Sequence, residues 1–177
     1  MPKKRKDGSY IFKDHPEFTP NLSPNDVIVQ GGFGGTYYRP IFSGITKQNY
    51  KDEWKEFKWS KKVTPEKLYQ TTCDPSLNKF KVKSGTSLVF WEQKGWIKPQ
   101  DPYGWFQWYC RFFNGRRSPD DERQIKRWLG ICGPKGRFRN RLVNMIKNKK
   151  TTVHDYTVSP VIRQLLHQWG YELRTLN

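Results

Sequence analysis

The stretch Asp101-Pro102-Tyr103-Gly104-Trp105-Phe106-Gln107-Trp108-Tyr109-Cys110-Arg111-Phe112-Phe113-Asn114-Gly115 decides the fold class. Asp101 before Pro102 is a helix start: a side-chain oxygen accepts from exposed first-turn amides, and proline lacks an amide where the helix leaves one unpaired. Asn114-Gly115 is a stop, because both residues tolerate the left-handed backbone that closes helices. Between them Trp105, Trp108, Tyr109 and Phe112 recur at i, i+3, i+4 and i+7, which places four rings on one helical face.

The same punctuation repeats on both sides. Ser118-Pro119 followed by Asp120, Asp121 and Glu122 opens another helix, with carboxylates offsetting the positive end of the dipole. Ile125, Trp128 and Leu129 face inward there, and Gly130 is its expected end. A further helix is predicted over residues 136–148 with Phe138, Leu142, Met145 and Ile146 inward. The last follows Ser159-Pro160 and buries Val161, Ile162, Leu165, Leu166 and Trp169 before Gly170. Upstream, residues 86–94 form a short helix with Leu88 and Trp91 inward, closed by Gly95. The expected fold is therefore mainly α: a compact C-terminal helical bundle over residues 84–177 with an irregular N-terminal region carrying short strands.

Residues 1–24 are rich in Lys, Pro and polar side chains and lack apolar periodicity, so they read as a basic extended arm that orders only against something else. Residues 25–83 read as an irregular region packed with the helices as one unit. Within it Val27-Ile28-Val29 is an expected strand, Gly31-Gly32-Phe33-Gly34-Gly35 a tight packed loop, and Tyr37-Tyr38 the start of a second strand. The glycine run lacks the Lys-Ser/Thr ending of a phosphate-binding loop. Tyr50, Trp54 and Phe57 are spaced for one stripe of a short helix, and Thr64-Pro65-Glu66 is another helix start.

Only 34% of the residues are hydrophobic yet 16% are aromatic, which implies a core built from rings. Cys73, Cys110 and Cys132 are odd in number and widely spaced, so a disulfide framework is not expected and a reducing compartment is. With His15, His154 and His167 they offer no zinc-ligand spacing; no metal and no cofactor are expected. The absence of an apolar run of ~18 residues argues against a membrane partner.

The formal net charge is +17, and such a surface calls for a polyanion. Thirteen Lys or Arg lie between Arg111 and Lys150 against only Asp120, Asp121 and Glu122. Eight of the thirteen are arginines, whose planar fork suits bidentate contacts to phosphate or guanine. The candidate nucleic-acid-binding residues are Arg111, Arg116, Arg117, Arg123, Arg127, Lys135, Arg137, Arg139 and Arg141, with Lys3, Lys4, Arg5 and Lys6 in the arm. The segment Leu129-Gly130-Ile131-Cys132-Gly133-Pro134-Lys135-Gly136 faintly resembles a helix-hairpin-helix element, although Pro134 removes an amide; a helix-turn-helix is an equal alternative. Lys3-Lys4-Arg5-Lys6 resembles a nuclear-import signal. Rings in residues 105–113 are suited to stacking on bases, but with few aliphatic residues available core packing is the expected use.

The leading expectation is a non-enzymatic DNA-binding protein, with DNA ahead of RNA. A virion structural or assembly protein is one rival, and a nuclease or base-excision enzyme another. Asp120, Asp121 and Glu122 invite a magnesium site, but consecutive acids in a first turn point in different directions and already serve the helix start. Asp101 or Asp155 as a lone activating carboxylate carries little signal, so no catalytic residue is assigned.

The run from Asp101 to Phe112, continuing through Gly115-Arg116-Arg117 and Asp120-Asp121-Glu122-Arg123-Gln124-Ile125, resembles an uncharacterised family of large DNA viruses, algae and fungi. The likeness extends from Gly31 through Ser159-Pro160-Val161-Ile162-Arg163-Gln164. It brings no activity. The expected location is nuclear, from the Lys3-Lys4-Arg5-Lys6 cluster, or the virion if the context that the resemblance implies is viral, with genome packaging or a virion structural role then competing.

Overall fold

A computed structural model describes residues 1–177. Two short antiparallel pairs, β1 (Lys3–Lys4) with β2 (Tyr10–Ile11) and β3 (Ile41–Phe42) with β4 (Asn49–Tyr50), accompany seven α-helices. The helices are α1 (Pro24–Gln30), α2 (Pro65–Leu68), α3 (Leu88–Gln93), α4 (Trp105–Phe113), α5 (Asp121–Cys132), α6 (Arg137–Lys149) and α7 (Pro160–Gln168). The protein is mainly helical, and all five helices expected after residue 84 are present. Two boundaries differ from expectation. α4 starts at Trp105, where Gln107 Oε1 accepts from the Tyr103 amide at 3.0 Å, while Asp101 is turned toward arginines described below. α5 runs through the exposed Gly130 to Cys132, because one glycine inside a helix costs only about 1 kcal/mol and Gly133-Pro134 makes the firmer stop.

α4 is central. Every residue of it except Arg111 is buried, so the single aromatic face expected from its spacing is only part of what it buries. Trp105 stacks on Trp169 at 4.2 Å, Trp108 on Phe112 at 4.8 Å, and Phe106 meets Phe33 and Tyr37 at 5.0 Å. α6 lies at the edge, packed on α5 and α7, and buries only Leu142 and Ile146 fully. Met145 and Val161, expected inward, are exposed.

The N-terminal third differs most from expectation. The arm is ordered against the chain's own core: Tyr10, Phe12, Phe18 and Leu22 are buried, and Phe18 meets Trp105, Trp108, Tyr109, Phe112 and Trp128 at 5.1–6.3 Å. Val27-Ile28-Val29 is helical, not a strand. Ser23 accepts from the Asp26 amide while Asp26 accepts from the Ser23 amide, a reciprocal cap with Pro24 in the first turn that outweighs β-branched propensity. Tyr37-Tyr38 lies in a turn, and the Tyr50–Phe57 stripe falls on β4 and a 3-10 turn (Glu53–Glu56). The glycine run is a packed loop as expected. A Cβ at Gly31 would strike the Leu77 carbonyl and one at Gly35 the Glu66 carbonyl, and both residues adopt positive φ.

α7 fastens this loop. Gln164 and Gln168 donate to the Gly31 and Gly32 carbonyls at 2.8–3.2 Å, and the His167 Nε2–H donates to the Val27 carbonyl at 3.0 Å. His167 Nδ1 is buried without a partner, and burial pulls the imidazole down from 6.5 to about 4. The unfolded chain thus takes up a proton between pH 6.5 and 4 that the folded protein refuses. This contribution is intact above pH 6.5 and is lost as pH falls toward 4, costing about 3 kcal/mol. His167→Gln keeps a donor near Val27 and cannot titrate. Chemical-denaturation curves should show wild-type stability falling relative to the variant over that interval; parallel curves would contradict the assignment.

Candidate nucleic-acid interface

The basic residues from Arg111 to Lys150 divide into two groups. In the first, each guanidinium has a carboxylate. Asp101 is 1% exposed and receives Arg111 Nη1 at 2.9 Å and both Nη atoms of Arg116 at 2.6 and 2.7 Å. Arg111 also grips Glu56 at 2.9–3.2 Å. Arg117 pairs with Asp14 at 2.6 Å and lies flat on Phe112, tying the arm to α4. Arg123 pairs with Asp120 and donates to the Trp96 carbonyl. These four are each engaged within the fold, and a guanidinium already neutralised gains less from a phosphate than a free one.

Of the carboxylates weighed for chemistry, all but the exposed Glu122 are likewise occupied. Asp121 accepts from Trp108 Nε1 at 2.8 Å and from the Ser118 amide at 2.9 Å, and Asp155 pairs with Lys149 and Thr157. No three His, Cys, Asp or Glu side chains converge on one point.

The second group, Lys149 aside, has no such partners. From Arg123 to His154 the chain carries ten Lys or Arg and no acid. Lys126, Lys135, Arg137, Arg141 and Lys147 are exposed and form no ion pair within 4.0 Å. Arg137, Arg141, Asn144 and Asn148 follow at i, i+4, i+7 and i+11 and so lie along one face of α6, a helix about 20 Å long. Arg139 turns away, donating to the Cys132 carbonyl at 3.2 Å and lying over Tyr171. Arg127 turns inward, with Gln124 Oε1 at 2.7 Å and the rings of Trp96 and Trp169 beneath it.

No family model, curated protein or solved structure matches the chain.

In the arm, Arg5 is consumed by the Tyr10 and Pro16 carbonyls, at 2.8 and 3.4 Å, whereas Lys3, Lys4 and Lys6 lie on the surface. Lys126 and Lys147 belong with the exposed group although the arginine pattern passes them over. The acid-free window from Arg123 to His154 is the signal that finds them.

Proposed function

We propose that the protein binds nucleic acid, DNA foremost, through phosphate contacts from the exposed face of α6 together with Lys126 and Lys135. One observation carries this reading: Arg111, Arg116, Arg117 and Arg123 are matched by carboxylates and Arg127 and Arg139 turn inward onto polar groups and rings, while Arg137 and Arg141 on the outer face of α6 are left without an anionic partner. Arg137 and Arg141, one turn apart, repel each other, and α6 carries no acid to offset its positive N-terminal end. An external polyanion removes both penalties and releases counterions as it docks. Lys3, Lys4 and Lys6 are placed to add phosphate contacts or to act in nuclear import.

The test is binding to labelled duplex DNA, single-stranded DNA and RNA across a salt series, with Arg137→Gln/Arg141→Gln/Lys147→Gln beside the wild type. Affinity should fall steeply with salt, and the triple variant should lower the log–log slope by roughly 2–3, about one for each phosphate that is no longer neutralised. Arg117→Gln, which removes a cation already paired with Asp14, should leave the slope unchanged. No binding at moderate salt would overturn the proposal and favour an assembly role with acidic protein partners.

A further inference from the structure

Beside α6 the protein forms a cavity of about 610 Å³, within the range of small-ligand sites. Trp91, Trp96, Trp105, Phe106, Phe138 and Trp169 are among the rings that line it. Its charged lining is Arg127 and Arg137, with no acid. Trp96, 39% exposed, and Phe90, 36% exposed, stand at the surface edge to face, 5.7 Å apart. Exposed rings of this size next to a deep aromatic recess are costly in water unless something covers them.

Arg127 is the unusual member. Its guanidinium has five donors, of which one is used, on Gln124. No carboxylate reaches it, because the adjacent Asp120 is committed to Arg123. Burial, and next the nearby Arg123, pull it down to about 10, so the fold bears an uncompensated cation in an aromatic wall. Arg137 lines the same cavity and is also the first residue of the exposed basic row of α6. The recess and the phosphate-docking face are therefore continuous.

We propose that this cavity receives the planar base of one unpaired nucleotide, stacked against its indole rings, with Arg127 on the acceptor edge of the base and Arg137 on the phosphate. Aromatic walls favour a flat π-system, and two cations without an acid favour an anion rich in acceptors. This rests on the proposed docking of nucleic acid for the source of the nucleotide, but the chemistry of the cavity applies equally to a free mononucleotide.

The full-length protein is titrated with three probes while tryptophan fluorescence and anisotropy are followed: an ordinary single strand, an abasic strand of equal length, and dGMP. The ordinary strand should bind about tenfold or more tightly than the abasic one and quench fluorescence. Trp96→Ala and Arg127→Met should each erase that preference and leave abasic affinity unchanged; the half-exposed position of Trp96 makes the first variant safe for folding. Equal binding of ordinary and abasic strands would overturn the cavity proposal while leaving phosphate docking in place. Failure of all three probes would overturn the cavity proposal, and failure of duplex DNA to bind as well would overturn the docking. Quenching by dGMP that is sensitive to Trp96→Ala and Arg127→Met, with no binding of single strands or of duplex DNA, would support the cavity and overturn the docking.

Discussion

Phe18→Ala is expected to cost about 3–5 kcal/mol, a fall in melting temperature of roughly 10 °C for a chain of this size. Phe18 is fully buried and sits edge-on against Trp105, Tyr109, Phe112 and Trp128, with Phe12 stacked on it at 5.3 Å. Truncation leaves a cavity walled by large rings whose own positions are fixed by α4 and α5, so little collapse can refill it. The arm's lysines act on a different link of the chain from sequence to function. Replacing Lys3, Lys4 and Lys6 together by Ala should change stability by less than about 0.5 kcal/mol, since all three lie on the surface. Thermal denaturation of the two variants separates the cases: a Phe18→Ala protein as stable as wild type would mean that the arm does not complete the core.

The contrast shows what local pattern can carry. The C-terminal helices are legible because their signals are local: Asn114-Gly115, Ser118-Pro119 and Ser159-Pro160 act on amides and dihedrals within four residues. Reciprocal capping by Ser23 and Asp26 is equally local, yet three β-branched residues in a row point to a strand that the cap overrides. Phe12 and Phe18 show no period, because each enters the core from extended chain, where burial depends on what lies opposite. The basic surface is legible as a charge but not as a site. A tally over Arg111–Lys150 includes the acids of that window only, whereas the partners of Arg111 and Arg117 come from 55 and 103 residues away. Ion pairs at such separations leave no sequence spacing to read. The site proposed from the ion pairing is narrower than the charge tally: one helix face, its lead-in, and an aromatic recess that shares Arg137 with it.

Asp101→Asn is expected to destabilise the protein by about 3 kcal/mol, near the lower end for breaking a buried ion pair. The carboxylate is enclosed, and its two arginines do not lose equally. Arg111 retains Glu56, but Arg116 has its two Asp101 contacts as its side-chain partners and an Nε already buried without one. At 27% side-chain exposure Arg116 recovers some hydration, which moderates the loss. If the stranded cation is the cause, Arg116→Gln added to Asp101→Asn should recover part of the stability, giving a coupling of about 1–2 kcal/mol in a double-mutant cycle. The same pair of variants bears on chemistry. A carboxylate 2% exposed and held by two guanidinium groups is poorly placed to activate a nucleophile on a docked strand. Nucleic-acid affinity measured well below the melting temperature should accordingly be the same for wild type, Asp101→Asn and the double variant. Strand cleavage or base release by the wild type that vanishes in Asp101→Asn, with folding restored in the double variant and activity not restored, would instead make Asp101 a catalytic residue and the protein a processing enzyme.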